Sequence, residues 1–503
     1  MKMMRWWKVT ALLAAAAFLR CAPAQSPVAA GLPVFNVVSF GARNDGSAAA
    51  TGAFQNAIAA ARKAGGGTIF VPAGRYTSGP IELFSNMTLQ LDAGATIVFP
   101  VAPLPFVKGR YLGVEALVPM PLVSGDRVEN VAITGRGTLL TGDYAAWGTA
   151  YGAPPAAVRH DSDNANGPLW DRLLKAINAG QPVSPDDYRA AASELRPSFI
   201  CFSNAKNILI DGVHLVGGPA FVVHLLYSEN ATVRNVVIDA YPGPHANGIV
   251  VDSSRFVRIA DDFVDTGDDG IVIKAGKDAD GLRVNRPSED VAITDCTVKH
   301  AHGAVVIGSE TSGGIRNVVA GNIVADGTEN GIRIKSRRGR GGVVQNLRFD
   351  NWTMRNVGTG IAISTYYVMG GEGATMEEKV TRRTPVFRNI GISNVTIAGA
   401  RQVADIQGLP EMPLLGLRLL HVAGEGRTGF EAESADNLEL RDVKITARQG
   451  PGYSLRSITN LVLDDVGAKP APAGAPAIRL ENCPDAVLRN NLAPPIATQG
   501  NAQ

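Results

Sequence analysis

The chain has 503 residues, 45% of them hydrophobic and 19% charged, so it can bury a large core and is neither a disordered chain nor a nucleic-acid binder. Its formal charge is +2, but Lys2, Arg5, Lys8 and Arg20 fall in an acid-free leader, and without them the charge is near −2. Any attraction for an anionic ligand must therefore be local.

Met1 to Ala24 reads as a signal peptide, with a basic start, the apolar run ALLAAAAFL and a small-residue cleavage site at Ala22-Pro23-Ala24. The run is too short to span a bilayer. Arg20 before Cys21 argues against a lipoprotein site. A secreted or periplasmic protein with no membrane association after cleavage is expected. Phe54 to Lys63 (FQNAIAAARK) has helical spacing and ends at Gly65-Gly66-Gly67, and such a helix would cover the open end of a stack of strands.

A repeat of Asn followed by alternating apolar residues recurs at Asn86, Asn130, Asn207, Asn230, Asn346, Asn389, Asn437 and Asn460. It predicts short strands joined by sharp corners, with asparagine in left-handed backbone at the corners and hydrogen-bonded along the stack. The fold class expected is all-β, a single-stranded right-handed parallel β-helix over residues 25–493 with an N-terminal capping helix. Tyr151 to Leu195 interrupts the repeat with two short helical stretches, DRLLKAINAG and PDDYRAAASEL, and is expected as an insertion at a groove wall or a lid. Residues 494–503 are expected to form a frayed tail. The cysteines left after cleavage, Cys201, Cys296 and Cys483, are odd in number and far apart, which gives no disulfide framework.

The most telling stretch runs from His245 to Ser336, through HANGIVVDSS, VDTGDDGIVIKAG, KHAHGAVVIGSE and NGIRIKS. Asp268 lies 21 residues after Asn247, His302 lies 34 after Asp268, and Arg333 lies 31 after His302. Each gap suits one coil, so four rungs about 4.8 Å apart would carry these side chains over about 15 Å, a length suited to a few sugar units. Arg333 and Lys335, alternating with Ile332 and Ile334, share the outward face. Lys274 is expected near the same groove, and Arg337, Arg338 and Arg340 either widen an anionic subsite or form a solvated loop. Taken alone, the Asp268-Asp269 pair would suit a solvated corner or a calcium site, His302 a structural group, and His224 structural packing or a remote subsite. No His or Cys cluster has metal-ligand spacing, so no metal or cofactor is expected.

FNVVSFGARNDG, AIAAARKAGGGTIFVPAGRYTSGPIEL and NMTLQLDAGATI near the start, and DTGDDGIVIKAG, HGAVVIGSE and GIRIKS in that order, resemble glycoside hydrolase family 28, the polygalacturonase family, up to about Val357. The resemblance implies a hydrolase that cleaves pectic polysaccharide with inversion. It makes Asp268 the general acid, Asp269 a carboxylate that activates water, His302 a support for the acid's protonation, and Arg333 with Lys335 the grip on a uronate carboxylate. Inversion needs acid and base about 6.5–9.5 Å apart, so the backbone must bend at Gly267 to turn two adjacent aspartates into one groove. Repulsion within the pair is expected to raise one pKa.

The resemblance leaves one gap. Asn247 stands where the family's Asn-Thr-Asp places a third acid, and an amide cannot take a proton. Asn247 would then at best hold the water, with His245 or Asp252 as conceivable replacements. A pectin-binding protein without turnover and a polysaccharide lyase are the alternatives. The expected partner is an acidic polysaccharide such as pectin, polygalacturonate or rhamnogalacturonan, with the protein acting as a monomer.

Overall fold

One apolar row shows how the coils stack. Val123, Ile200, Val223, Ile249, Ile271, Val305, Ile332 and Ile361 are consecutive partners in parallel strands, and each is fully buried. Burial of a side chain of this size contributes about 1.5–3 kcal/mol, so rows like this one dominate the cohesion of the stack. The computed structural model describes residues 31, 33–142, 146–147, 167–243, 245–367, 376–469, 475–490 and 496–499. The leader and residues 151–166 of the expected insertion lie outside the described residues.

Within that range the chain is a right-handed parallel β-helix. Strands such as Ile200–Ser203, Lys206–Asp211 and His214–Val216 form one coil, and each pairs with its counterpart in the next coil. The helix Thr51–Lys63 buries Phe54, Ala57, Ile58 and Ala61 in the main core, with Phe54 edge-on to Tyr76. Among the described residues no helix is long and apolar enough to cross a membrane. Ile496–Gln499 forms a strand paired with Ile478–Glu481, inside the stretch expected from sequence as a tail.

All eight asparagines of the repeat have φ between 51° and 61°. Their side chains bond along the stack, from Asn130 to Asn86, Asn207 to Asn130, Asn230 to Asn207, and Asn389 to Asn346. Phe256 occupies the same corner between Asn230 and Asp290, at φ 55° and half exposed. A bulky residue in left-handed backbone costs about 1–2 kcal/mol. Phe256→Asn is expected to relieve that strain and raise stability by about 1 kcal/mol, read as a higher urea midpoint; an unchanged or lower midpoint counts against it.

Asp262 is nearly enclosed, and among the described residues only its Oδ1 is bonded, accepting the Val236 N–H at 2.7 Å. Burial, reinforced by Asp261 and Asp211 against the Val236 bond, pushes its carboxyl up to about 7 from 3.8. Because the folded value lies above the unfolded one, this group favours folding most below pH 3.8, and that contribution is lost as pH rises toward 7. The loss is on the order of 4 kcal/mol for such a shift. Asp262→Asn is thus expected to gain stability relative to the parent between pH 4 and pH 8, and denaturation curves that shift equally at both pH values would refute it.

A two-stranded antiparallel hairpin, Phe106–Tyr111 with Val114–Pro119, stands outside the stack. Helices Pro168–Asn178 and Pro185–Ala192, close to the two stretches expected within the insertion, pack against it. Ser184 and Asp187 form a capping box at the start of the second. Together they stand over one part of the outward face of the sheet that carries Asn247, Asp268, His302 and Arg333.

Candidate active site

The strands Ile249–Asp252, Ile271–Lys274, Val305–Ile307 and Asn330–Lys335 lie side by side, and the residues just before each of the first three face one groove. Gly248 N donates to Asp269 O, and His302 N to Asp268 O, at 3.0 Å each, so Asn247 lines up with Asp269 and Asp268 with His302 on adjacent rungs. Asp268 Oδ1 also accepts the Asp269 N–H at 2.7 Å, which is the bend that sends the two side chains to different partners.

Asp268 is held between two imidazoles, with His302 Nδ1 at 3.3 Å and His245 Nδ1 at 3.6 Å. Burial would push its carboxyl up, but the hydrogen bonds and charge of His245 and His302 outweigh burial and hold it well below the usual range. Repulsion within the pair was expected to raise one of the two aspartates, and for Asp268 the direction is downward. Burial lowers His302, while Asp268, Asp269 and Glu329 raise it further, for a net upward shift. The proton of the pair accordingly rests on the imidazole. Glu329 stands 3.7 Å from His302 Nε2, a neighbour that no motif in the sequence marked.

Asp269 is clamped by cations instead. Lys335 Nζ lies 2.8 and 3.2 Å from its two oxygens, and Arg333 Nη1 lies 3.7 Å away. Burial first, then Arg333, pulls the Lys335 ammonium down. Both cations lie over the Tyr367 ring, at 5.7 Å for Arg333 and 5.1 Å for Lys335. A Cβ on Gly303 would meet Val306 Cγ2 at 2.6 Å and Arg333 Cβ at 3.2 Å, so glycine after His302 leaves room for both side chains. Asn247 is buried, and its Oδ1 has no hydrogen-bond partner among the described residues.

Other sequence candidates are engaged elsewhere. Lys274 faces outward but is buried, 2.7 Å from Glu310. Asp252 pairs with Arg110 at 2.8 Å and lies 3.7 Å from His224, so of the two conceivable replacements only His245 reaches the acid. Arg340 is fully buried against Asp278, and Arg338 grips Glu411 with two nitrogens.

Two carboxylates thus stand in opposite settings on the outer face of a parallel β-helix, Asp268 between imidazoles and Asp269 between cations. Residues 186–406 match the glycosyl hydrolases family 28, and residues 34–102 match the rhamnogalacturonase A/epimerase, pectate lyase-like family. A probable polygalacturonase of Vitis vinifera is 28% identical over 401 residues, 77% of this chain and 73% of the relative. An endo-polygalacturonase of Pectobacterium parmentieri is 30% identical over 61% of this chain and 73% of its own length. The exopolygalacturonase structure from Thermotoga maritima superposes with a TM-score of 0.69 at 32% identity, over 81% of this chain and 91% of that one. The chain belongs to family 28 of the glycosyl hydrolases and is a glycoside hydrolase acting on O-glycosyl bonds.

Proposed function

We propose that this enzyme hydrolyses α-linked galacturonate-type bonds in pectic polysaccharide with inversion at the anomeric carbon. The observation that carries the proposal is the contrast between Asp268, held between His245 and His302, and Asp269, held by Lys335 and Arg333. As the glycosidic oxygen gains charge, the proton stored on the imidazole side passes through Asp268 to that oxygen, and the C–O bond to the leaving sugar breaks. Water attacks the anomeric carbon from the opposite face and gives its proton to Asp269, whose carboxylate lies against Lys335 and Arg333. The unpaired Asn247 Oδ1 accepts a second hydrogen bond from that water and fixes its direction. An amide serves this purpose where the family has an acid.

Arg333 supplies a planar fork for a substrate carboxylate, which favours a uronic acid in the adjoining subsite. The relatives named polygalacturonases support the same substrate. Export by the leader Met1 to Ala24, action as a monomer and no cofactor complete the proposal.

Proton NMR during digestion of polygalacturonate and rhamnogalacturonan tests it. New reducing ends with β configuration are expected first, without 4,5-unsaturated sugars. Unsaturated ends would make the protein a lyase, and retention on the polymer without products would make it a binder.

A further inference from the structure

Along the groove, the position next to Asn247 on the preceding rung is Phe221, because Val222 N donates to Asn247 O at 2.8 Å and Val223 pairs with Ile249. Phe221 is 2% exposed. The ring of Tyr111, at the end of the first hairpin strand, stacks on it at 6.1 Å and 12°, and the buried Trp170 backs Tyr111 edge-on at 5.6 Å. At the hairpin tip, Leu112 packs over Phe221, Val250, Val272 and Val306, the last three fully buried on the outward face of the groove sheet.

This cover is fastened from several sides. Arg110 Nη1 bonds Asp252 at 2.8 Å and Ser253 Oγ at 2.7 Å, Lys277 N donates to Gly113 O at 2.9 Å, and Glu115 N donates to Asp280 Oδ2 at 3.0 Å. Bonds of this kind, buried and on both flanks, make the hairpin a wall. Away from it, past His302, Glu329 is 56% exposed.

We infer that the Tyr111–Leu112 hairpin tip, seated on Phe221, closes one end of the groove, so that the enzyme admits only a terminus of an acidic polysaccharide and removes one or two sugars at a time. The inference rests on the hydrolytic function proposed above. Phe221 lies two rungs from Asp269, about 10 Å, which leaves room for a short product and none for a continuing chain.

Two measurements separate this from the underlying function. In a time course on polygalacturonate, a mono- or disaccharide is expected as the sole early product, with little fall in viscosity; a ladder of intermediate oligomers overturns the inference while leaving hydrolysis intact. In the Asp268→Asn variant, which removes turnover from the question, trigalacturonate carrying a bulky group at one end or the other is titrated by calorimetry. One blocked form is expected to bind roughly tenfold more weakly or worse, a loss of at least about 1.4 kcal/mol, and equal binding of both forms overturns the wall. The double change Tyr111→Ala with Leu112→Gly is expected to introduce longer products, and an active variant with an unaltered product profile would remove the hairpin from the account.

Discussion

Asp268→Asn is expected to lower kcat by about 10²–10⁴-fold while leaving KM within a few-fold, the range for loss of a positioned general acid. The amide still accepts the Asp269 N–H that shapes the turn, now made by Asp268 Oδ1, so the backbone is kept. What it cannot do is relay a proton from His302 or His245 to the departing oxygen. Initial rates on trigalacturonate with a parallel binding titration check this, and a rate near that of the parent would remove Asp268 from the chemistry.

The same geometry sets the sign of the pH response. His302 is raised above 6.5, chiefly by Asp268 acting against burial, so the stored proton is present at acidic pH and lost as pH climbs through that raised value. kcat/KM is therefore expected to hold up to near pH 6.5 and fall on the alkaline side. In His302→Asn the imidazole 3.3 Å from Asp268 is gone, and the alkaline limb that it sets is expected to move. A limb that stays where it was would assign the proton to another group.

Much of this was legible because the β-helix writes itself along the chain with a short period. Corner asparagines, apolar alternation and one polar block per coil are local signals, and they place Asp268, His302, Arg333 and Lys335 on neighbouring rungs before any contact is known. Adjacent rungs also decide protonation, and that part was not legible. The Asp268-Asp269 repulsion is visible in two letters, whereas the partners that overrule it come from three other coils. The hairpin was missed for a similar reason. FVKGRYLGVEALVP carries weak alternation, and what fixes it in place is Asp252, Lys277 and Asp280, more than a hundred residues later. Lys274 shows both sides of this, since alternation put it on the outward face, but only the distant hairpin reveals that this part of the face is covered.

Lys335→Met is expected to damage both stability and turnover, through one cause. It leaves the Asp269 carboxylate buried with Arg333 at 3.7 Å as the cation nearest to hand. Breaking a buried pair from one side costs about 3–5 kcal/mol, because the remaining charge has lost its compensation. The base has then lost the contact that fixes its place in the groove, and kcat should fall by about 10²-fold or more. If Lys335 served only to hold substrate, KM would rise with kcat preserved, and that split decides between the two roles. The double variant Asp269→Asn with Lys335→Met provides the sharper test. Both charges are gone, nothing buried is left unpaired, and its stability should recover above that of Lys335→Met alone, while kcat falls little below that of Asp269→Asn. Groups that act as a unit give such non-additive results. Additive losses in both stability and kcat would mean that the 2.8 Å contact between Lys335 and Asp269 has no bearing on how the base is held.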